Sequence, residues 1–382
     1  MTVGVICEYN PFHRGHQKQF HLIREKFGPD TTIVCLMSGN FVQRGAPAIV
    51  DKSIRAKAAI LSGADLVLEL PVTCALSSAE GFAAGAVRIL TGVCDALCFG
   101  AETADGARLQ AVAAALLTEE FSLQLKQQLS SGISFPAARQ NALAQLGEDG
   151  SLLTQPNNIL AVEYCKAIRA QSSNLIPVPI CREGSYHDLV ADAENPSATS
   201  VRRLMLSGSS WQQYVPDDAA SLFETASKHR TAFGERAILS RLRTMTEAEF
   251  QALPYGSEGL WRKFMHAVRS QPTLDAVLEA TKSKRYTRTR LDRMMLCAFL
   301  GLTADDLSAP APYARILAFR DRGRCVLKSS HGAVPFYNTG ASIDSPYQAI
   351  ENRCSDLYGL FADNTPEPPG AEQRRRVYYH KG

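Results

Sequence analysis

The stretch TVGVICEYNPFHRGHQKQFHLIREKF, residues 2–27, decides how the chain begins to fold. Thr2 to Cys7 is an apolar run of strand length, Asn10-Pro11 breaks it, and from Arg14 onward Phe20, Ile23 and Phe27 return at helical spacing. The helix opens on His13-Arg14-Gly15-His16, two imidazoles either side of Arg-Gly. In an α/β sheet such a junction lies at the carboxyl end of a strand, where ligands bind, and the helix N-terminus adds unpaired N–H groups and positive potential. That is a phosphate site by physics. Gly15 lets the backbone approach an anion closely, and each imidazole can offer an N–H to a phosphate oxygen. Zinc is the competing use of His13 and His16, but a third ligand is needed; His21 is poorly placed on the same helical face and Glu8 precedes the turn.

Working outward, the rhythm repeats. Apolar runs TIVCLM (32–37), DLVLELP (65–71), DALCFG (95–100) and NLIPVPI (174–180) alternate with helical patterns such as DKSIRAKAAILSG (51–63) and SSAEGFAAGAVRIL (77–90). The pattern predicts an α/β fold with a doubly wound, Rossmann-like parallel sheet over residues 1–205. After SATSVRRLMLSG (197–208) the strand rhythm stops, and residues 206–382 read as a mainly helical domain. Within it ARILAFRDRGRCVLKSS (314–330) fits helix plus turn or a hairpin, and the Pro-rich, then basic tail 364–382 reads as an exposed arm.

Composition excludes several classes. The chain has 382 residues, 45% hydrophobic and 21% charged, enough to bury a large core. Lys and Arg outnumber Asp and Glu by only 41 to 38, so any surface for nucleic acid must be local. Ten cysteines lie scattered without a CxxC pair, which fits small apolar residues in a reduced compartment rather than a zinc site, and no metal is assigned to protein ligands. The N-terminus lacks a basic n-region and no run approaches the ~18 apolar residues of a membrane span, so a cytoplasmic protein with no membrane partner is expected.

Two further segments carry chemistry. SATSVR (197–202) places Ser197, Thr199 and Arg202 at a helix start, either as an ordinary cap or as a second phosphate grip. KSKRYTRTRLDR (282–293) sets six cations against Asp292 alone, with Tyr286 for stacking; this is either a solvated helix face or an RNA contact through Lys284, Arg285, Arg288 and Arg290. RRRVYY (374–379) is a weaker candidate of the same kind. In SGNFVQRG (38–45), Asn40, Gln43 and Arg44 would hang over the sheet's carboxyl edge, suited to a small anion or a nucleobase unless the segment is a plain surface loop. Gly100 falls where a backbone passes close to adenine or ribose, or is a turn glycine.

The pattern HxGH after a strand, paired with SxTxxR at a later helix, resembles the HxGH nucleotidyltransferases. Longer matches are more specific: GVICEYNPFHRGH (4–16), MSGNFVQRGAPAIVDK (37–52), GADLVLELP (63–71), AEGFAAGAVRIL (79–90), CFGAE (98–102), QPNNILAVEYCKA (155–167), YHD (186–188), SATSVRR (197–203) and KRYTRTRLDRMML (284–296) are similar to the tRNA(Met) cytidine acetate ligases along nearly the whole chain. The resemblance implies ligation of acetate to the N4 amine of the wobble cytidine of elongator tRNA(Met) through acetyl-adenylate, with ATP and Mg²⁺ and without acetyl-CoA. It implies that His13, His16 and Arg202 act on the phosphates. Cys7, Asn10, Pro11, Gly15 and Gly100 would contact ATP, as would Asn157, Asn158, Arg182, Ser197 and Thr199. Gln19 stands where the family often has His, and Ala46 where it often has Glu. Two alternatives remain: a nucleotidyltransferase joining ATP to a small phosphorylated metabolite, and a non-catalytic RNA-binding module.

Overall fold

Strand β1 runs Thr2–Cys7 and helix α1 runs Arg14–Phe27, burying Phe20 and Ile23, as the opening stretch predicts. The computed structural model describes residues 1–181, 196–283 and 285–381. Arg182, Lys284 and the segment 186–188 lie outside the described residues. Strand β2 (Thr32–Ser38) follows, then a ribbon of β3 (Phe41–Val42) and β4 (Ala46–Pro47), then helix α2 (Lys52–Leu61). Strands β5 (Leu66–Leu70), β6 (Ala96–Ala101) and β7 (Ile176–Cys181) complete the parallel part, in the order β5-β2-β1-β6-β7. The chain winds outward from β1 through β2 to β5, then returns to the other side of β1 with β6. That reversal makes the crevice at the carboxyl ends of β1 and β6, where open α/β sheets bind ligands.

The strands read as apolar runs because both faces are covered. Alternate residues of β2 serve opposite cores: Val34 and Leu36 face one, Ile33, Cys35 and Met37 the other. A third core belongs to the helical half, where helix Arg288–Leu300 buries Leu291, Met294, Leu296 and Phe299 among its neighbours.

The second half is less purely helical than its sequence suggests. Residues 314–330 form neither a hairpin nor helix plus turn. They form strand β8 (Ala314–Phe319), antiparallel to β5, then helix Asp321–Ser329. Strands β9 (Phe336–Asn338) and β10 (Tyr378–Tyr379) also pair with β8, so segments well beyond residue 205 extend the first sheet. The tail is not an exposed arm either. Glu372 is buried, Arg375 pairs with Asp51, and the chain end runs beside β8. The ten cysteines are free thiols, and no helix among the described residues is long and apolar enough to cross a membrane.

Two buried cations hold this arrangement. The Lys52 ammonium donates to both Glu69 oxygens at 2.7 Å and lies 2.9 Å from Glu372, tying the start of α2 to β5 and to the tail. Glu69, Glu351 and Glu372 come within 4.8 Å of one another, but Lys52, Arg315 and Arg375 pair with them, as a metal ion would otherwise have to. Arg55, fully buried on α2, donates to backbone carbonyls only: Val50 at 2.8 Å, Ser38 at 3.2 Å, and those of Glu8 and Gly39. It thereby joins the ends of β1 and β2 to the turn before α2. Arg55→Met would leave these carbonyls without their donor, and we expect a loss of roughly 3–5 kcal/mol in urea unfolding. A loss below about 1 kcal/mol would mean that the carbonyls find other partners.

Candidate active site

A cavity of about 970 Å³ opens above the carboxyl ends of β1 and β6. Its walls come from residues far apart in sequence: the turn 6–16, the loop 42–47, Gly100, Asn157, the segment 196–202, and from the helical half His229, Arg230, Thr289 and Arg293. Its size suits a nucleotide with a small second substrate.

The turn that delivers the histidines is strained and tightly packed. Tyr9 sits at φ +45°, with its ring 4.8 Å from Phe12 and from His16 and its hydroxyl 3.2 Å from the Cys35 sulfur. His13 then caps α1 and is buried. Its backbone N–H donates to Nδ1 of His16 at 3.2 Å, which leaves the proton of a neutral His16 on Nε2. The two rings stack with centroids 3.7 Å apart and 24° between planes. The rings of His13 and His16 stack rather than converge on one point, and His21 is exposed on α1, so these three histidines do not form one ligand set. Gly15 has a more specific reason than expected: a Cβ would lie 3.0 Å from the His13 ring and displace it.

A second helix start meets the first. Ser197 Oγ accepts from the Ser200 N–H at 3.0 Å and caps helix Ala198–Ser207, as the capping reading of SATSVR has it, and Ser197 and Thr199 also line the cavity. The Arg202 guanidinium donates to the carbonyl of Asn10 and to Thr199 Oγ1 at 3.1 Å, buckling the two motifs together. Asn10 in turn accepts from the Ile49 N–H at 2.7 Å. Two helix N-termini therefore face one cavity, whose wall also carries His13, His16 and Arg202.

The remaining sequence candidates divide. Cys7, Gly100, Asn157, Gln43 and Arg44 line the cavity, as do Gln19 and Ala46. Pro11 and Asn158 are buried behind the wall. Asn158 and Asn157 fasten the β6 loop to helix Pro156–Ala170, because their backbone N–H groups donate to Glu102 at 2.7 and 3.2 Å and Asn158 accepts from Thr103 at 3.0 Å. Asn40 does not hang over the edge. It is buried, donating to Asp51 and accepting from the Lys52 N–H at 2.8 Å, so it fixes the start of α2 instead of facing a substrate.

The basic segment is also more neutral than its sequence. Arg288 is held by Asp275, Glu279 and Asp292 at 2.9–3.0 Å, Arg285 pairs with Glu258 at 3.0 Å, and Arg290 donates to the Tyr255 carbonyl at 2.8 Å. Apart from Asp292, the acids come from other helices and loops, which a count over residues 282–293 misses. Thr289 and Arg293 on the same helix do reach the cavity, and Arg293 donates to the Gln43 carbonyl at 3.3 Å.

Glu8 escaped the sequence reading as a site residue. It is the sole carboxylate on the cavity wall among the described residues. Its Oε1 accepts from the Gln43 N–H at 2.8 Å. Burial pushes its pKa above the usual carboxylate range, opposed by Gln43 and by the charges of Arg202, Arg44 and Arg55. An acid directly after the first strand and before the HxGH turn was the available signal.

Comparison with known proteins agrees with this geometry. A family model described as HIGH Nucleotidyl Transferase matches residues 1–372. The tRNA(Met) cytidine acetate ligase of Acetivibrio thermocellus is 38% identical over 351 residues, spanning 85% of this chain and 84% of its own. The protein of that name from Kosmotoga olearia is 34% identical, spanning 100% of this chain and 99% of its own. Among solved structures, apo Thermotoga maritima TmcAL superposes with a TM-score of 0.92 at 30% identity, and the same protein bound with alpha-thio ATP with 0.88 at 29%, each over 100% of both chains.

Gly45 shows how closely the loop and the helical half meet. It sits at φ +82°, and a Cβ would come 2.5–2.6 Å from backbone atoms of Arg293 and Asp292. We expect Gly45→Ala to cost more than about 2 kcal/mol in thermal unfolding. An unchanged melting curve would show that the loop and helix do not touch in solution.

Proposed function

The chain belongs to the tRNA(Met) cytidine acetate ligase family within the HIGH nucleotidyl transferases, and on that premise we propose that it activates acetate with ATP and transfers the acetyl group to a tRNA. The acceptor is the N4 amine of the wobble cytidine of elongator tRNA(Met), the donor is acetyl-adenylate rather than acetyl-CoA, and the reaction runs in the cytoplasm. One observation carries the proposal: two helix N-termini, His13, His16 and Arg202 converge on a cavity whose far wall, Thr289 and Arg293, belongs to the helix of the basic segment.

In the first step the acetate oxygen attacks the α-phosphorus and pyrophosphate leaves. Acetate is already anionic at neutral pH, so this nucleophile needs no base. What the protein supplies is alignment and charge stabilisation. His13, at the mouth of α1, lies against the α-phosphate; His16 Nε2–H and the start of helix Ala198–Ser207 hold the outer phosphates, with Arg202 bridging both. Gln43 and Arg44 face the acetate. Cys7, Gly100 and Asn157 line the nucleoside side.

In the second step the cytidine amine attacks the acetyl carbon and AMP leaves. A wobble base is unpaired in the free anticodon loop and can be turned into a pocket at little cost. Arg285 is more than half exposed and its surface pair with Glu258 is worth little, so a tRNA phosphate can displace that acid. Arg288, gripped by three carboxylates, is better explained as an internal brace of the helical half. Mg²⁺ commonly accompanies ATP, but the described residues offer no carboxylate cluster at the phosphate end to hold it. The ion would therefore arrive on the phosphates, and no step here is routed through it.

Pyrophosphate–ATP exchange tests the first step. We expect exchange that depends on acetate, and His13→Ala should lower it by at least about 100-fold. Mass analysis of nucleosides from treated tRNA should then show N4-acetylcytidine. Exchange without acetate, with a phosphorylated metabolite required instead, would favour the nucleotidyltransferase alternative, and near-normal exchange by His13→Ala would refute the phosphate role.

A further inference from the structure

We propose that Glu8 is the base of the acetyl-transfer step, receiving the N4–H of the acceptor cytidine and taking its proton as the C–N bond forms. This rests on the ligase reading above and supplies the proton acceptor it lacks.

The cavity is built for anions. His13, His16, Lys18, Arg44, Arg202 and Arg293 all line it, and Glu8 is the exception. An acid among cations repels the phosphates of ATP and the acetate, so it is not a group for binding those anions. Toward a cytosine amine it is the fitting group, because that edge offers N–H donors and a carboxylate accepts only. Its position fits as well. Glu8 follows the last residue of β1, while His13 caps the helix that receives the phosphates, so both come from one short turn. The Gln43 N–H holds Oε1 and fixes the carboxylate against the loop 42–47, on the side where the helical half closes the cavity through Arg293.

Other cavity groups serve less well. Burial raises the Cys7 thiol and the Tyr164 phenol far above neutrality, so both stay protonated. The His229 ring lies flat on Tyr358 at 4.0 Å with its Nδ1 buried. Around Glu8 the charged and titratable groups are Arg55 from α2, Arg44 from the β3–β4 turn, Arg202 from helix Ala198–Ser207, Tyr164 from helix Pro156–Ala170 and Cys7 from β1. The three arginines oppose the burial, which still raises its pKa and makes it a stronger base than a carboxylate in water.

The step balances without a further reagent. The N4 lone pair forms a bond to the acetyl carbonyl carbon, and the bond from that carbon to the AMP phosphate oxygen breaks with its electron pair leaving on AMP. One N4 proton passes to Glu8 and then to water.

Glu8→Gln keeps an oxygen for the Gln43 N–H while removing the base, so the two half-reactions can be read separately. Acetate-dependent pyrophosphate–ATP exchange, and acetohydroxamate from trapping with hydroxylamine, should stay within about threefold of wild type. Single-turnover acetyl transfer at saturating tRNA should fall by roughly 10²–10⁴-fold. In the wild type the transfer rate should rise with pH through an inflection above the ordinary carboxylate range and then level off; Glu8→Gln should lose that inflection and Glu8→Asp should retain it at reduced rate. Transfer within threefold of wild type in Glu8→Gln would overturn the proposal. So would an equal fall in exchange and transfer, which would assign Glu8 to adenylation or to holding the loop. Absence of acetate-dependent exchange in the wild type is a different failure, and it would remove the ligase reading itself.

Discussion

The guanidinium of Arg55 is the constraint on which the rest of the site depends. A parallel sheet ends in carbonyls that have left the ladder, and at a ligand crevice those of β1 and β2 lie side by side with no further strand to satisfy them. Arg55 reaches up from α2 and collects the carbonyls of Glu8, Ser38, Gly39 and Val50. Burying a guanidinium is costly, and burial does pull its pKa down against the nearby Asp51 and Glu8 charges. Several charge-assisted hydrogen bonds offset that cost because each would otherwise be a buried, unpaired carbonyl. The gain is positional. Glu8 opens the turn to His13, and Gly39 opens the loop to Gln43 and Arg44, so one side chain sets both walls of the cavity.

A second brace runs from the end of the chain to its beginning. Arg375 pairs with Asp51, Asp51 caps α2 through the Ser53 N–H at 2.8 Å, and Asn40 bridges Asp51 to the Lys52 backbone. Lys52 then links Glu69 on β5 to Glu372 in the tail. The charges are unevenly shared. Lys52 and Arg375 hold Glu372 down to about 2, whereas burial and the neighbouring acids push Glu69 up to about 7. The tail therefore belongs to the catalytic half in space, although nearly the whole helical region separates the two in sequence.

The parallel core was legible because covered strands are short apolar runs and covered helices keep a 3.6 period, and both depend only on neighbours in sequence. The same locality explains what was missed. Arg55 within DKSIRAKAAILSG looks like any solvated helix charge, since its carbonyl partners lie on other elements. The segment 282–293 looks strongly cationic because Asp275, Glu279 and Glu258 fall outside it. Strand β8 is hidden because its buried Arg315 reads as polar until Glu351 arrives from a later helix at 2.6 Å. Asn40 and Gln43 share one loop and look alike in sequence, yet one caps a helix and the other faces the cavity. His13, His16 and Ser197 were found because helix starts announce themselves locally.

On the proposed reaction, the electrostatics of the cavity would also order the two chemical steps. With ATP bound, its phosphates partly satisfy the cations around the two helix N-termini, and those cations do less to keep Glu8 ionised against its burial. Departure of pyrophosphate in the proposed first step would remove most of that negative charge and leave acetyl-adenylate with one phosphate. The positive potential at Glu8 would then rise, favouring its charged form at the stage where the proposed transfer calls for a base. A carboxylate placed among arginines by a single backbone clamp would thus couple its ionisation to progress of the proposed reaction. No moving part is needed for this, because the departing product itself changes the field.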